Sequence, residues 1–209
     1  SWVNWGRNQR CAPEQLARPN THEEVAKLVC LGVAKRKKVR AVGAGHSFSP
    51  LCATEGIMID LSNFNSITKV DPEKLHITVG AGIRLFDLNK KLESLGLALP
   101  NLGDIDCQSL AGAISTGTHG TGLNHHSISQ AVIGLKIITG DGGTLECSAS
   151  QNQDLFEVAR VSLGSLGIIV EVTLQCVPSF NLRAIEQTTH IDNVLDLFTD
   201  AIRTSDHTE

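Results

Sequence analysis

Residues 39–50, VRAVGAGHSFSP, combine the groups needed to hold an anion with one that could make a covalent bond. Gly43, Ala44 and Gly45 follow a short apolar run, and such a turn can point successive backbone N–H groups at a phosphate. His46 comes next, ahead of the small hydroxyl of Ser47, and a neutral imidazole nitrogen is nucleophilic near pH 7. The turn does not match the dinucleotide fingerprint G-x-G-x-x-G, because its third glycine would fall at Phe48. It does not match the nucleotide P-loop either, since no Gly-Lys-Ser/Thr follows. Taken alone, a turn of this kind is more often structural than functional.

A second segment, residues 109–122, interleaves serines and threonines with Gly112, Gly117, Gly120, Gly122 and His119. A run so poor in large apolar side chains builds no core, so it is a surface loop or the lining of a polar ligand site. A third, SLGSLGIIVEV, sets Gly164 and Gly167 just before an apolar strand, where a tight turn explains most of its residues. The first two together suit one long phosphate-containing ligand such as flavin adenine dinucleotide (FAD), which needs one surface at its diphosphate and another at its flavin.

Other reactive side chains point to no second chemistry. His119, His125 and His126 lack the spacing, carboxylate or thiol of a zinc site, so no metal is expected. His22 and His76 read as ordinary surface or hairpin histidines, and Trp2 and Trp5 as packing anchors. The six cysteines lie far apart without a C-x-x-C pair, as free or buried thiols of a reducing compartment do. The net charge is −4, with no block of five or six like charges, which argues against nucleic acid or an anionic membrane as main partner. With 41% hydrophobic residues the 209-residue chain has the composition of a folded protein. No apolar run reaches the roughly 18 residues of a membrane span, and the opening SWVNWGRNQRC carries no signal peptide pattern.

The elements that must carry these segments follow from periodicity. Thr21 and Glu24 form a capping box, and apolar spacing continues a helix over 21–38 to its basic end. Strands are predicted over 39–42 and 57–61, then a hairpin over 66–79 that turns at Asp71 and Pro72. A helix over 84–95 is closed by Gly96, and a short helix fits the centre of the small-residue segment. A second hairpin over 131–147, a helix over 151–160 and a strand over 167–177 come next. An amphipathic helix starting at Ile191 runs almost to Glu209 with little left to pack on. The class is therefore α+β, and residues 181–209 read as the start of a further domain.

These strings, with IMIDLSNFN, VGAGIRLFDL, LGLALPNLGDIDCQSLAGAISTGTHGTG, LECS and ARVSLGSLGIIVEVTLQCVP, closely resemble the FAD-binding domain of the sugar-1,4-lactone oxidases. These are the gulonolactone, galactonolactone and arabinonolactone oxidases, near the alditol oxidases, among the vanillyl-alcohol-oxidase (PCMH-type) flavoproteins. The resemblance runs from Trp5 to about Val177. It implies a two-subdomain FAD-binding fold over 1–180, divided near residue 80, with 181–209 opening a C-terminal substrate or cap domain. The resemblance assigns Gly43, Ala44, Gly45, His46 and Ser47 to the FAD diphosphate, with His46 joined covalently to the flavin 8α-methyl carbon. It makes Asp104, Ser109, Gly112, Thr116, Gly117, Thr118, His119 and Gly120 the second FAD-contacting stretch, although relatives often carry Ser or Ala in place of Asp104. It sets the backbone of Ile168 and Ile169 at the adenine or ribose end. Gly103 falls where oxidases keep a small residue beside the flavin and dehydrogenases keep Ala, which favours reaction with O₂.

The implied reaction is FAD-dependent oxidation of a sugar-1,4-lactone with O₂ as acceptor, giving H₂O₂, of the kind used in ascorbate-type biosynthesis. The alternatives are an alditol or other sugar oxidase, or an FAD-binding fragment without turnover. The family's catalytic Glu and Arg belong to the C-terminal domain, so these 209 residues alone are expected to be inactive. The implied partners are a lactone and O₂, with no nucleic acid. An intracellular location is expected, with any membrane attachment left to a C-terminal region; oligomeric state is not legible.

Overall fold

In a computed structural model of the chain the described residues are 1–186, 188 and 190–205. A short pair, β1 (Trp2–Val3) with β2 (Arg10–Cys11), opens the chain, followed by β3 (Gln15–Ala17), α1 (His22–Ala34), β4 (Val39–Val42) and β5 (Ile57–Asp60). Strands β3, β5 and β4 make a small parallel sheet in that order, and parallel neighbours need crossovers such as α1. The Thr21 hydroxyl caps α1 by accepting from the Glu24 N–H at 3.2 Å. The reciprocal bond runs to Asn20, whose N–H donates to Glu24 Oε2 at 2.7 Å. The helix stops at Ala34, short of the expected 38, because Arg36 turns the backbone at φ 51°. Lys35 and Lys37 then face Glu14 at 3.7 and 3.0 Å and lead into β4.

Both expected hairpins form, β6 (Ile67–Asp71) with β7 (His76–Gly80), and, further on, β9 (Val132–Ile138) with β10 (Thr144–Ser148). Between them lie α2 (Leu85–Ser94), β8 (Leu97–Ala98), α3 (Leu110–Ser115) and a 3₁₀ turn at Ile128–Ala131. Gly96, at φ +70°, ends the α2 turn as expected. After β10 come α4 (Gln153–Ala159), β11 (Ile168–Gln175), β12 (Val177–Pro178), which pairs with β8, and α5 (Ile191–Thr204).

The main sheet has the order β10-β9-β11-β7-β6 and is antiparallel throughout, so strands from both sides of residue 80 share it. One core joins Ile77, Val79, Leu135, Ile137, Val172 and Leu174 of this sheet to Leu85, Leu88 and Leu92 of α2, Leu110 and Ile114 of α3, and Phe156 of α4. A second core joins Val25 and Val29 of α1 with Ile57 and Ile59 of β5 to Ile138 and Ile168 at the end of the main sheet. Successive side chains of a strand point to opposite faces, so Ile168 feeds the second core and Ile169 the first. The seam between the two cores is where the glycine-rich segments meet.

Helix α5 contributes no buried residue, and Ile191, Leu195, Leu197 and Phe198 are exposed along it. The end of the helix predicted there reaches residues 206–209, which lie outside the described residues.

Candidate functional site

A cavity of about 380 Å³ occupies that seam. It is walled by the end of β4 and the turn 43–47, by residues 60–62 after β5, by residues 81–84 and 108–116 around α2 and α3, and by 138–140 and 163–169. Gly43, Ala44, Gly45, His46, Ser47, Ser109, Gly112, Thr116, Ile168 and Ile169 all belong to this one wall. Gly103, Asp104, Gly117, Thr118, His119 and Gly120 do not. Helix α3 ends at Ser115 with Thr116 as its C-cap, Gly117 turns the chain at φ +67°, and the Thr118 N–H bonds back to the Ala113 carbonyl at 3.0 Å. Asp104 and His119 are exposed, and the His119 ring meets the Gly120 carbonyl at 2.8 Å.

The turn after β4 is held from outside. Trp5 N–H donates to the Gly45 carbonyl at 2.8 Å, and the Asn4 side chain, itself buried, donates to the Ser47 carbonyl at 3.0 Å. Asn8 and Gln9 both donate to the Phe48 carbonyl at 3.0 Å. These bonds occupy carbonyls and leave the N–H groups of residues 44–47 without a protein acceptor among the described residues. Gly45 sits at φ +70°, which an L side chain rarely adopts. A Cβ on Gly43 would collide with the Ser109 hydroxyl, so glycine there lets the two sequence-distant segments touch.

Between Cys107 and Ser109, Gln108 Nε2 donates to Thr118 Oγ1 at 3.3 Å, while its Oε1 is buried with no hydrogen-bond partner. A buried acceptor left unpaired costs free energy unless a ligand supplies the donor. Arg40 and Arg84 bring positive charge to the wall, and Val42, Leu61, Leu166 and Ile168 supply apolar surface. Unpaired N–H groups at a glycine turn, cationic side chains, apolar walls and one waiting acceptor fit a ligand with a diphosphate and a flat, hydrogen-bonding ring.

His46 stands at the wall with Trp5 stacked on it, ring centroids 4.9 Å apart and planes 27° from parallel. Trp5 is 64% exposed, and the packing it provides is over the histidine and Phe48. His46 Nε2 lies 3.1 Å from Cys107 Sγ. Burial, with the Arg84 guanidinium adding to it, holds the imidazole pKa below its usual value of 6.5, so the ring is neutral and its nitrogen lone pair is free at neutral pH. His76 pairs with Gln175 at 2.8 Å and His22 stacks on Phe64, both away from the cavity. Among the described residues no three His, Cys, Asp or Glu side chains gather to hold a metal ion.

Missed by the sequence reading are Arg40, Arg84 and Gln108. None carries a local signal, since each is brought to the wall by strand pairing between distant segments.

The fold and site define a domain that cradles a diphosphate-bearing flavin cofactor. A model of the FAD binding domain family matches residues 13–148, and the chain belongs to that family. L-gulonolactone oxidase of Bos taurus is 42% identical over 204 residues, which is 98% of this chain and 46% of that protein. L-gulono-1,4-lactone dehydrogenase of Mycobacterium tuberculosis is 38% identical over 208 residues, 100% of this chain and 48% of that protein. The chain thus spans about half the length of the curated relatives it matches. Among solved structures, a BBE-like 1 protein of Physcomitrella patens superposes with a TM-score of 0.77 at 22% identity, over 84% of this chain and 38% of that one. The fold is that of the vanillyl-alcohol-oxidase flavoproteins, α+β as the sequence indicated. Among the described residues no helix is long and apolar enough to cross a membrane.

Proposed function

We propose that this chain is the cofactor-binding part of an FAD-dependent sugar-1,4-lactone oxidase, within ascorbate-type biosynthesis, and that His46 holds the flavin covalently. The observation that carries the reading is the neutral His46 set in a turn of unpaired N–H groups on the cavity wall, in a chain similar along nearly its whole length to lactone oxidases. Residues 1–180 form the FAD-binding unit, and 181–209 open the domain that brings substrate. The N–H groups of 44–47 bind the diphosphate, Gln108 and Ser109 meet the flavin side, and the backbone of Ile168 and Ile169 lies at the adenine or ribose end. Gly103, Asp104 and residues 117–120 border the flavin through Thr118, which is hydrogen-bonded to Gln108.

FAD, when bound, supplies the two-electron acceptor for the substrate. The substrate's secondary alcohol becomes a ketone, and O₂ becomes H₂O₂. Attachment would join a His46 ring nitrogen to the flavin 8α-methyl carbon with loss of one hydrogen from each partner, both taken with their electrons by O₂ as H₂O₂. Burial of His46 serves this step by keeping the nucleophile unprotonated, and Trp5 and the Asn4 bond hold the ring and turn in place.

The relative named as a dehydrogenase favours a second reading in which another acceptor replaces O₂. Assay of the full-length protein with gulono-, galactono- and arabinono-1,4-lactone, following both H₂O₂ and reduction of an artificial dye, separates them. Lactone-dependent H₂O₂ supports the oxidase; dye reduction without H₂O₂ supports the dehydrogenase; turnover of xylitol alone overturns both.

A further inference from the structure

We infer that Cys107 is the positioning residue for the flavin bond: its sulfur accepts the Nε2–H of His46 and so presents Nδ1 as the nitrogen that is alkylated. This rests on the proposed covalent attachment and goes beyond it, because nothing in the glycine turn itself selects a nitrogen.

Three observations carry it. Cys107 Sγ lies 3.1 Å from His46 Nε2, within reach of an N–H···S hydrogen bond. Nδ1 has no protein partner among the described residues, so the imidazole is held from one nitrogen only. The thiol is held in turn by its backbone, since Arg84 Nη1 donates to the Cys107 carbonyl at 3.2 Å and the next residue but one, Ser109, bridges to Arg84. A neutral imidazole carries its proton on one nitrogen, and the partner of that N–H sets the tautomer. A thiol sulfur can accept as well as donate, and with sulfur as the acceptor of Nε2–H the lone pair is on Nδ1.

The arrangement also disposes of charge. Alkylation at Nδ1 leaves an imidazolium, which must lose the Nε2 proton. That proton sits against Cys107, an exposed residue, and passes from there to water. The charged or titratable groups set against His46 are Cys107 and Arg84, and Arg84 opposes the cation and favours this loss. Trp5 on the ring face is uncharged, so it orients the ring without affecting the proton.

The test uses the full-length protein, prepared free of flavin and mixed with FAD in air, as wild type, Cys107→Ala and Cys107→Ser. Acid-stable flavin is measured against time, and the bonded nitrogen is identified by NMR of the isolated flavopeptide. Non-covalent FAD binding, read by flavin fluorescence, shows that each variant is folded. Wild type is expected to attach at Nδ1 alone. Cys107→Ala is expected to attach roughly tenfold more slowly and at both nitrogens, the loss of about one hydrogen bond in the transition state. Cys107→Ser, which keeps an acceptor, is expected to restore the single nitrogen. A merely structural role would alter the yield but not the nitrogen. The inference is overturned if Cys107→Ala attaches at the wild-type rate through one nitrogen, if Cys107→Ser behaves as Ala does, or if wild type is bonded at Nε2. Acid-releasable flavin in wild type would overturn the covalent reading itself, and this inference with it.

Discussion

The contact between Gly43 and Ser109 fixes how the two segments meet at the cavity wall, and Gly43→Ala tests it. The added Cβ would collide with the Ser109 hydroxyl and come within 2.9 Å of its Cβ. Ser109 cannot swing away freely: it is 4% exposed, stands at the N-cap position of α3 and its backbone bridges to Arg84. Overpacking at such a place costs about 2 kcal/mol. For a chain of this size that lowers Tm by roughly 4–8 °C. The same displacement misdirects the N–H groups of 44–47, so FAD affinity should fall by roughly tenfold or more. Ser109→Ala alone should change stability by less than about 0.5 kcal/mol, because the hydroxyl makes no cap bond. Combined with Gly43→Ala it removes the worst collision, and the double variant should recover about 1 kcal/mol against the sum of the singles. Thermal unfolding of the flavin-free protein gives the stability cycle, and quenching of flavin fluorescence gives the affinity cycle. A Gly43→Ala protein with unchanged Tm, or losses that simply add, would show that the two segments are not in contact as described.

Gln108→Leu removes the unpaired buried Oε1, so the flavin-free protein should be stabilised by about 1 kcal/mol while FAD binds roughly tenfold more weakly; two changes of the same sign would count against a ligand-facing acceptor. Since burial and Arg84 depress the His46 pKa below 6.5, the unfolded chain binds the extra proton first, and the flavin-free protein should lose stability as pH falls below 6.5, levelling off below the folded pKa. His46→Gln should remove that slope in urea titrations taken across the range, and a slope unchanged by the substitution would contradict it. For the same reason the rate of acid-stable flavin formation should rise with pH to a midpoint below 6.5, and a midpoint above 6.5 would refute a neutral, desolvated His46. Gly103→Ala, whose methyl would press on Thr118 Cγ2 at 3.0 Å, should slow reoxidation by O₂ in stopped flow and leave reduction by lactone nearly unchanged.

The elements with strong local codes were legible in the chain. The Thr21–Glu24 cap, the stop at Gly96 and the two hairpins each rest on a few neighbouring residues. The short strands β1, β2, β3, β8 and β12 were not, because two or three residues carry no periodicity. Nor was the pairing of β7 with β11, which sets His76 beside Gln175 across the main sheet. The glycine turn around His46 announced itself by composition, yet its partners did not. Gln108 carries no signal until the fold leaves its Oε1 dry, and Trp5, read as a packing anchor, packs on the histidine, which its residue type alone does not reveal. Residues 109–116 hold Leu110 and Ile114, which the helix turns into the core, while 117–120 continue the small-residue run beyond the turn at Gly117.

The claim that this cavity holds FAD through His46 is tested most directly by the intact mass of the denatured full-length protein, with peptide mapping of any added mass. The expected result is a gain of one FAD less two hydrogens, located on the peptide that contains His46 and abolished in His46→Ala. No gain in mass from flavin-replete protein, or flavin found on a peptide without His46, would contradict it.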